Sequence, residues 1–326
     1  MSETIKAAPF WQRFDVLRIE DLDNLVLGSG VEAIQMQRSP VRGSLAFGAR
    51  DGIIFSSALI NSRVVIRGTL SRDGISLVMG LRFGPGSRLW LNEVEQGVVG
   101  AVQAGHAFDA LFTGPTLLLA ATLSADRLQE EASRLGISFD HHIVQATGFH
   151  RLPLSAEPLQ SLRSSADALH RDDPGATHGS DLGCVMLRAL LEHYCFNPTI
   201  GYSGISSRDR GEIFGRALAF ILRNLSAAIT LDGIAQAAET SPEILLSVFR
   251  EFIDETPDHH IRRCRLHRIR RDLCRPEAHS DSIAAIADRW GIHDEHRMAA
   301  WYQHLFRETP KVTRLALMQR RQDEWM

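Results

Sequence analysis

Two octads far apart in this chain carry the same apolar pattern. Leu231, Ile234, Ala235 and Ala238 follow Thr230, and Ile283, Ile286, Ala287 and Trp290 follow Ser282, so apolar residues stand at i, i+3, i+4 and i+7 in both. That spacing writes one face of a short helix, and the hydroxyl residue before each is a natural N-cap. After a short break a second apolar set follows each octad: Leu245, Val248 and Phe249 in one case, Met298, Trp301, Tyr302 and Leu305 in the other. Glu255-Thr256-Pro257 then returns as Glu308-Thr309-Pro310. The octads are offset by 52 residues and the tripeptides by 53. So small a slip predicts two copies of one supersecondary unit, each a helix, a tight turn and a helix. Apolar spacing by itself favours a plain helical bundle.

The stretch between the copies separates these readings. Arg262, Arg263, Arg265, Arg268, Arg270 and Arg271 fall within ten residues, with His267 among them, a local basic stripe of the kind nucleic acid attracts. They sit on a predicted connecting helix, Asp258 to Arg275, of roughly 27 Å at about 1.5 Å per residue. Such a spacer could hold two recognition helices about one DNA turn, near 34 Å, apart on one face of a duplex.

The strings LDGIAQAAETSPEILLSVFREF, IRRCRLHRIRRDL and IAAIADRWGIHDEHRMAAWYQHLFRETP, in this order, resemble the DNA-binding domain of the AraC/XylS family. The resemblance runs from Arg210 to Gln319, about a third of the chain. It implies double-stranded DNA as partner, RNA polymerase as a further one, a homodimer and activation of transcription, although no residue here separates activation from repression. It also implies that the first recognition helix begins after Ser241, with Pro242 in its first turn, and exposes Glu243, Leu246, Ser247 and Arg250. The second would expose His293, Asp294, Glu295, His296 and Arg297. Arg250 and Arg297 could serve phosphates or guanine edges. Two positions depart from the family pattern: Glu239 stands where the turn usually has glycine, and Ser247 where many members have arginine. Glu243 could accept a hydrogen bond from cytosine N4 or simply be repelled by phosphate.

Upstream the pattern changes. From Phe14 to Thr122 short apolar or alternating runs are broken by glycine turns such as Arg50-Asp51-Gly52, Arg72-Asp73-Gly74 and Gly84-Pro85-Gly86, which predicts a small barrel or sandwich, with a barrel preferred. Helical periodicity begins after Ser124, where Leu128, Ala132 and Leu135 share a face and Gly136 ends it. Further helices are predicted over Ala156 to His170 and Asp181 to Tyr194, with a loop at Arg171 to Ser180 and an interdomain linker at Asn197 to Ser207. The expected organisation is therefore α+β. A β-rich effector-binding domain over residues 1–124, cupin-like by the resemblance, is followed by a helical dimerisation and linker region over 125–207. An all-α domain over 208–326 then holds two helix-turn-helix units joined by a linker helix.

Arginine is the informative residue of the first domain. Arg38 and Arg42 form one RxxxR spacing, and Arg63 and Arg67 form another on a predicted strand, where i and i+4 share a face. Guanidinium groups bind phosphate bidentately, pair with guanine and stack on purines. The first spacing resembles half of the cyclic-di-GMP signature of PilZ domains, and the other half is not clearly present. Cyclic-di-GMP is thus one candidate ligand; solvated arginines or another anionic effector are the alternatives.

Composition limits the rest. No apolar stretch approaches the roughly 18 to 20 residues of a spanning helix, and Met1 to Phe10 lacks the charged and apolar regions of a secretory signal, so a soluble cytoplasmic protein is expected. The four cysteines show no CxxC spacing and His106 has no histidine cluster around it, so neither a metal nor a cofactor is expected. A clustered nucleophile with base, or a phosphate-binding glycine loop, is not apparent, which argues against an enzyme.

Overall fold

The computed structural model describes residues 11–138, 147–150, 152–171, 179–196, 208–275 and 280–315. The predicted linker at 197–207 and most of the predicted 171–180 loop lie outside the described residues. The chain divides into two compact units, one of residues 1–35 and 41–204, the other of Met36–Pro40 with Ile205–Met326.

The first unit is built from β1 (Gln12–Val16), β2 (Gly30–Gln35), β3 (Gly43–Arg50), β4 (Ile53–Ile60), β5 (Val64–Thr69), β6 (Ile75–Arg82), β7 (Arg88–Leu89), β8 (Asn92–Glu93), β9 (Val99–Val102), β10 (Ala107–Phe112), β11 (Thr116–Leu123) and β12 (Gly148–Phe149). A seven-stranded sheet runs β1-β3-β4-β11-β6-β9-β12, and a five-stranded sheet runs β2-β5-β10-β7-β8. The preferred closed barrel is therefore corrected to two open, facing sheets. The reason lies in the strand β11, whose sequence TLLLAATL is apolar on both sides and almost wholly buried. A strand of that kind needs cover on both faces. Leu117, Leu119, Ala121 and Leu123 join a core shared with the helices, while Leu118 and Ala120 face Leu89 and Phe108 of the other sheet.

The helices that cover the seven-stranded sheet are α1 (Ala125–Arg134), α2 (Ala156–His170) and α3 (Gly179–Phe196). Ser124 caps α1 by accepting the Arg127 amide, as the sequence pattern suggests. At the end of α2, His170 is buried between Ser44 of β3 and Ser57 of β4, with ring-to-hydroxyl distances of 2.7 and 2.8 Å. Burial, reinforced by the charge of Arg13, pushes this histidine down to about 4, so it is neutral in the fold.

The second unit is helical: α4 (Arg208–Arg223), α5 (Leu231–Ala237), α6 (Pro242–Ile253), α7 (Pro257–Leu273), α8 (Ile283–Arg289) and α9 (Glu295–Phe306). The pairs α5–α6 and α8–α9 are the two sequence copies, and α7 is the predicted connecting helix, shifted by a residue or two at its ends.

Candidate nucleic-acid interface

Each copy is assembled by the same local chemistry. Thr230 caps α5 by accepting the Gly233 amide, and Ser282 caps α8 by accepting the Ala285 amide. Each short helix then closes in a Schellman arrangement. Thr240 N–H donates to Ala235 O and Glu239 N–H to Gln236 O; the counterparts are Ile292 to Ala287 and Gly291 to Asp288. The residue that turns the chain is left-handed in both copies, with φ of 54° at Glu239 and 72° at Gly291. Glu239 thus occupies a conformation that glycine adopts without strain. Past the turn, Ser241 caps α6 through the Ile244 amide and Asp294 caps α9 through the Arg297 amide. Asp254 and Arg307 end the second helices, again left-handed.

The outer faces of α6 and α9 follow. On α6, Leu245, Val248, Phe249, Phe252 and Ile253 are buried, and Glu243, Ser247 and Arg250 are exposed. Leu246, expected to be exposed, is half-buried, whereas Ile244, which the sequence reading passed over, is 43% exposed. Glu243 is held below its usual carboxylate range by a hydrogen bond from the Ser241 hydroxyl and by its own backbone amide, so it serves the start of the helix. Ser247 accepts from Arg210 of α4, which also pairs with Glu251 at 2.7 Å. Arg210 was not legible as a neighbour of this helix, because only tertiary packing brings α4 there. On α9, Met298, Tyr302, Leu305 and Phe306 are buried, and His293, Asp294, Glu295, His296 and Arg297 are all exposed. Asp294 commits one carboxylate oxygen to the Arg297 amide, and His293 lies 3.0 Å from Asp288.

The basic stripe of α7, expected from the sequence to attract nucleic acid, faces largely inward. Most of this helix is buried, and its arginines are largely spent inside the unit. Arg263 pairs with Glu255, the glutamate of the first Glu-Thr-Pro, and Arg270 reaches Glu308, the glutamate of the second, at 2.5 Å. Arg265 donates to the carbonyls of Leu225 (2.9 Å), Ala227 (2.6 Å) and Gly291 (3.1 Å), tying the approach to the first copy to the turn of the second. Arg268 stacks over Trp290 and Arg262 over Trp301. Carbonyl acceptors carry no signature in sequence, which is why the role of Arg265 could not be read there.

In the first unit, Arg38 and Arg42 are exposed, between β2 and β3. Met36–Pro40, with Arg38, groups with the second unit, and Arg42 with the first. Arg63 is half-buried just before β5. Arg67 on β5 pairs with Asp109 of β10 at 2.7 Å, and Glu32 of β2 stands opposite it in register. The arrangement gives Arg67 a cross-strand partner of its own. Among the described residues, no group of three or more His, Cys, Asp or Glu is placed to hold a metal, and no helix is long and apolar enough to cross a membrane.

What this geometry defines as a class is a double helix-turn-helix domain preceded by a separate β-rich unit. Residues 234–316 match the helix-turn-helix domain family. The "XylDLEGF operon transcriptional activator 3" of Pseudomonas putida is 33% identical over 113 residues, covering 35% of this chain and 33% of that protein. "Regulatory protein HrpB" of Ralstonia nicotianae is 30% identical over 101 residues, 31% of this chain and 21% of that protein. Over this region the chain is similar to these regulators. It spans about a third of the length of the first of these relatives. Among solved structures, the AraC-like transcriptional activator CuxR is similar at a TM-score of 0.36 and 13% identity, over 90% of this chain and all of that one. ToxT from Vibrio cholerae is similar at 0.32 and 10%, over 94% and 98%.

Proposed function

We propose that this protein is a DNA-binding transcription regulator, an activator that acts with RNA polymerase and works as a homodimer. The observation that carries the reading is that both second helices, α6 and α9, keep their outer edges open: Glu243, Ser247 and Arg250 on one, His293 to Arg297 on the other. A packed bundle would have covered them. Arg250 and Arg297 supply phosphate or guanine contacts, and the remaining exposed side chains tune base preference. Activation and the polymerase contact rest on the relatives. The dimer would use α2 and α3 of the region 125–207, where Val185 and Phe196 are exposed apolar side chains.

The first unit is read as the effector-binding part, with cyclic-di-GMP the ligand that the Arg38–Arg42 spacing favours. What supports a ligand met from solvent is that Arg42, on this unit, is exposed. Effector-independent binding, with the β-rich unit serving only for dimerisation, is the rival that the same experiment separates.

The test is enrichment of duplexes from a random pool, followed by salt-dependent titration of the winner with and without cyclic-di-GMP. A regulator of this kind enriches two boxes about one helical turn apart and loses affinity steeply with salt. An effector that acts through coupling of about 1 to 3 kcal/mol changes affinity by roughly 5- to 150-fold, and Arg38→Ala with Arg42→Ala removes that change. No enriched sequence refutes the regulator. Binding indifferent to the dinucleotide refutes the ligand and leaves the effector-independent reading.

A further inference from the structure

Between α7 and the start of α9 lies an open polar cleft lined by Ile229, Asp258, Arg262, Arg265, Arg297 and Trp301, among others. Trp301 forms its wall, with two guanidinium groups on the indole: Arg262 at 4.6 Å from the ring centroid and Arg297 at 5.2 Å. Stacking of this kind fixes a guanidinium while leaving its five N–H donors unspent. No ion pair or side-chain hydrogen bond among the described residues engages either group. That sets them apart from the other lining arginine, Arg265, whose donors go to three backbone carbonyls. Of the two carboxylates in the cleft, Asp294 is partly committed to the Arg297 amide, and Asp258 stands on the first turn of α7. Three arginines against two aspartates leave the cleft positive.

We infer that this cleft is a binding site for a backbone phosphate of duplex DNA, gripped by Arg262 from the connecting helix and Arg297 from the second recognition helix, with Trp301 holding both in register. The inference rests on the DNA-binding reading above and assigns a DNA contact to α7, a helix otherwise occupied with internal bonds. The occupant is a phosphodiester because the donors are paired planar forks, suited to a tetrahedral oxyanion. The site also opens beside His293 and Asp294, at the end of α9 that a recognition helix turns toward DNA. A phosphate there would lie on the strand passing between the two boxes.

The experiment uses the full chain and the enriched duplex. The salt slope of binding is compared for the wild type and for Arg262→Gln with Arg297→Gln, and uncharged methylphosphonate linkages are placed singly along the segment between the boxes. The expected double variant has a slope smaller by about 0.9, the value for one phosphate contact. It loses affinity equally on matched and mismatched boxes. At one linkage the methylphosphonate weakens the wild type several-fold and leaves the variant unchanged. Arg262→Lys, which keeps the charge but not the fork, recovers part of the slope. Should the double variant fail to fold, the linkage scan on the wild type decides alone, and a scan with no sensitive position between the boxes overturns the site. An unchanged slope in a folded double variant overturns it too, while steep wild-type binding keeps the regulator reading intact. A wild type that binds no duplex removes both.

Discussion

Giving the first turn the residue of the second, and disturbing the second, should move stability in opposite directions. Glu239 is exposed and left-handed at φ 54°, and Gly291 takes the matching position at φ 72°. A side chain in this region costs about 1 to 2 kcal/mol, and glycine returns about 0.5 to 1 kcal/mol of that through the freedom it gives the unfolded chain. Glu239→Gly should therefore stabilise by about 0.5 to 1 kcal/mol. Gly291→Ala pays the strain and adds a contact, since its Cβ would stand 3.1 Å from Cζ of Arg265, the group that donates to Gly291 O. It should destabilise by about 1 to 2 kcal/mol after the same entropic return. Calorimetric unfolding of the full chain reads both, and the transition that specific DNA shifts upward marks the second unit. For a unit of this size, between the small and the large domains, about 1 kcal/mol moves Tm by roughly 3 to 6 °C. A transition unmoved or lowered by Glu239→Gly would refute the argument, because it would mean the glutamate side chain gives the turn more than its backbone takes.

Arg265→Met should loosen the spacing between the two DNA boxes. Hydrogen bonds from a charged donor are worth about 1.5 to 3 kcal/mol before solvent screening of a half-exposed group reduces them. The variant should melt lower and, unlike the wild type, bind nearly as well when two base pairs are inserted between the boxes; retained discrimination would show that α7 alone fixes the geometry. His170→Gln should flatten the pH dependence of the first unit's stability. The folded histidine titrates at about 4, below its ordinary 6.5, so the unfolded chain binds the extra proton between those values. Stability from the neutral ring is complete above pH 6.5 and lost as pH falls toward 4, by on the order of 3 kcal/mol. Thermal melts from pH 7 to 4 that show equal slopes for wild type and variant would contradict this.

The helical unit was far more legible in the sequence than the β-rich one, for physical reasons. Its caps Thr230 and Ser282 bond amides three residues on, so their signal is local and survives in one dimension, whereas Asp294, expected as a DNA contact, also caps α9. Exposure of His293 to Arg297, which the family resemblance implies, is also what the fold shows. The sheets depend instead on pairings such as β1 with β3 and β11 with β6, and turn spacing cannot say whether the last strand returns to the first. Hence a barrel was expected where two open sheets stand. The α7 arginines failed for a third reason: their count was visible but their acceptors were not. Glu255 and Glu308 were noticed as a repeated tripeptide, with nothing to indicate that both reach for the same helix.

That shared reach has a consequence for how this region can change. Each copy of the duplicated unit anchors its closing glutamate on a different turn of one spine, Arg263 for the first and Arg270 for the second. Neither copy carries its anchor within its own helix pair, so exchanging one half alone would cost a charge pair on the shared helix. The two copies depend on each other, whereas changes confined to side chains on the open edges leave both anchors in place.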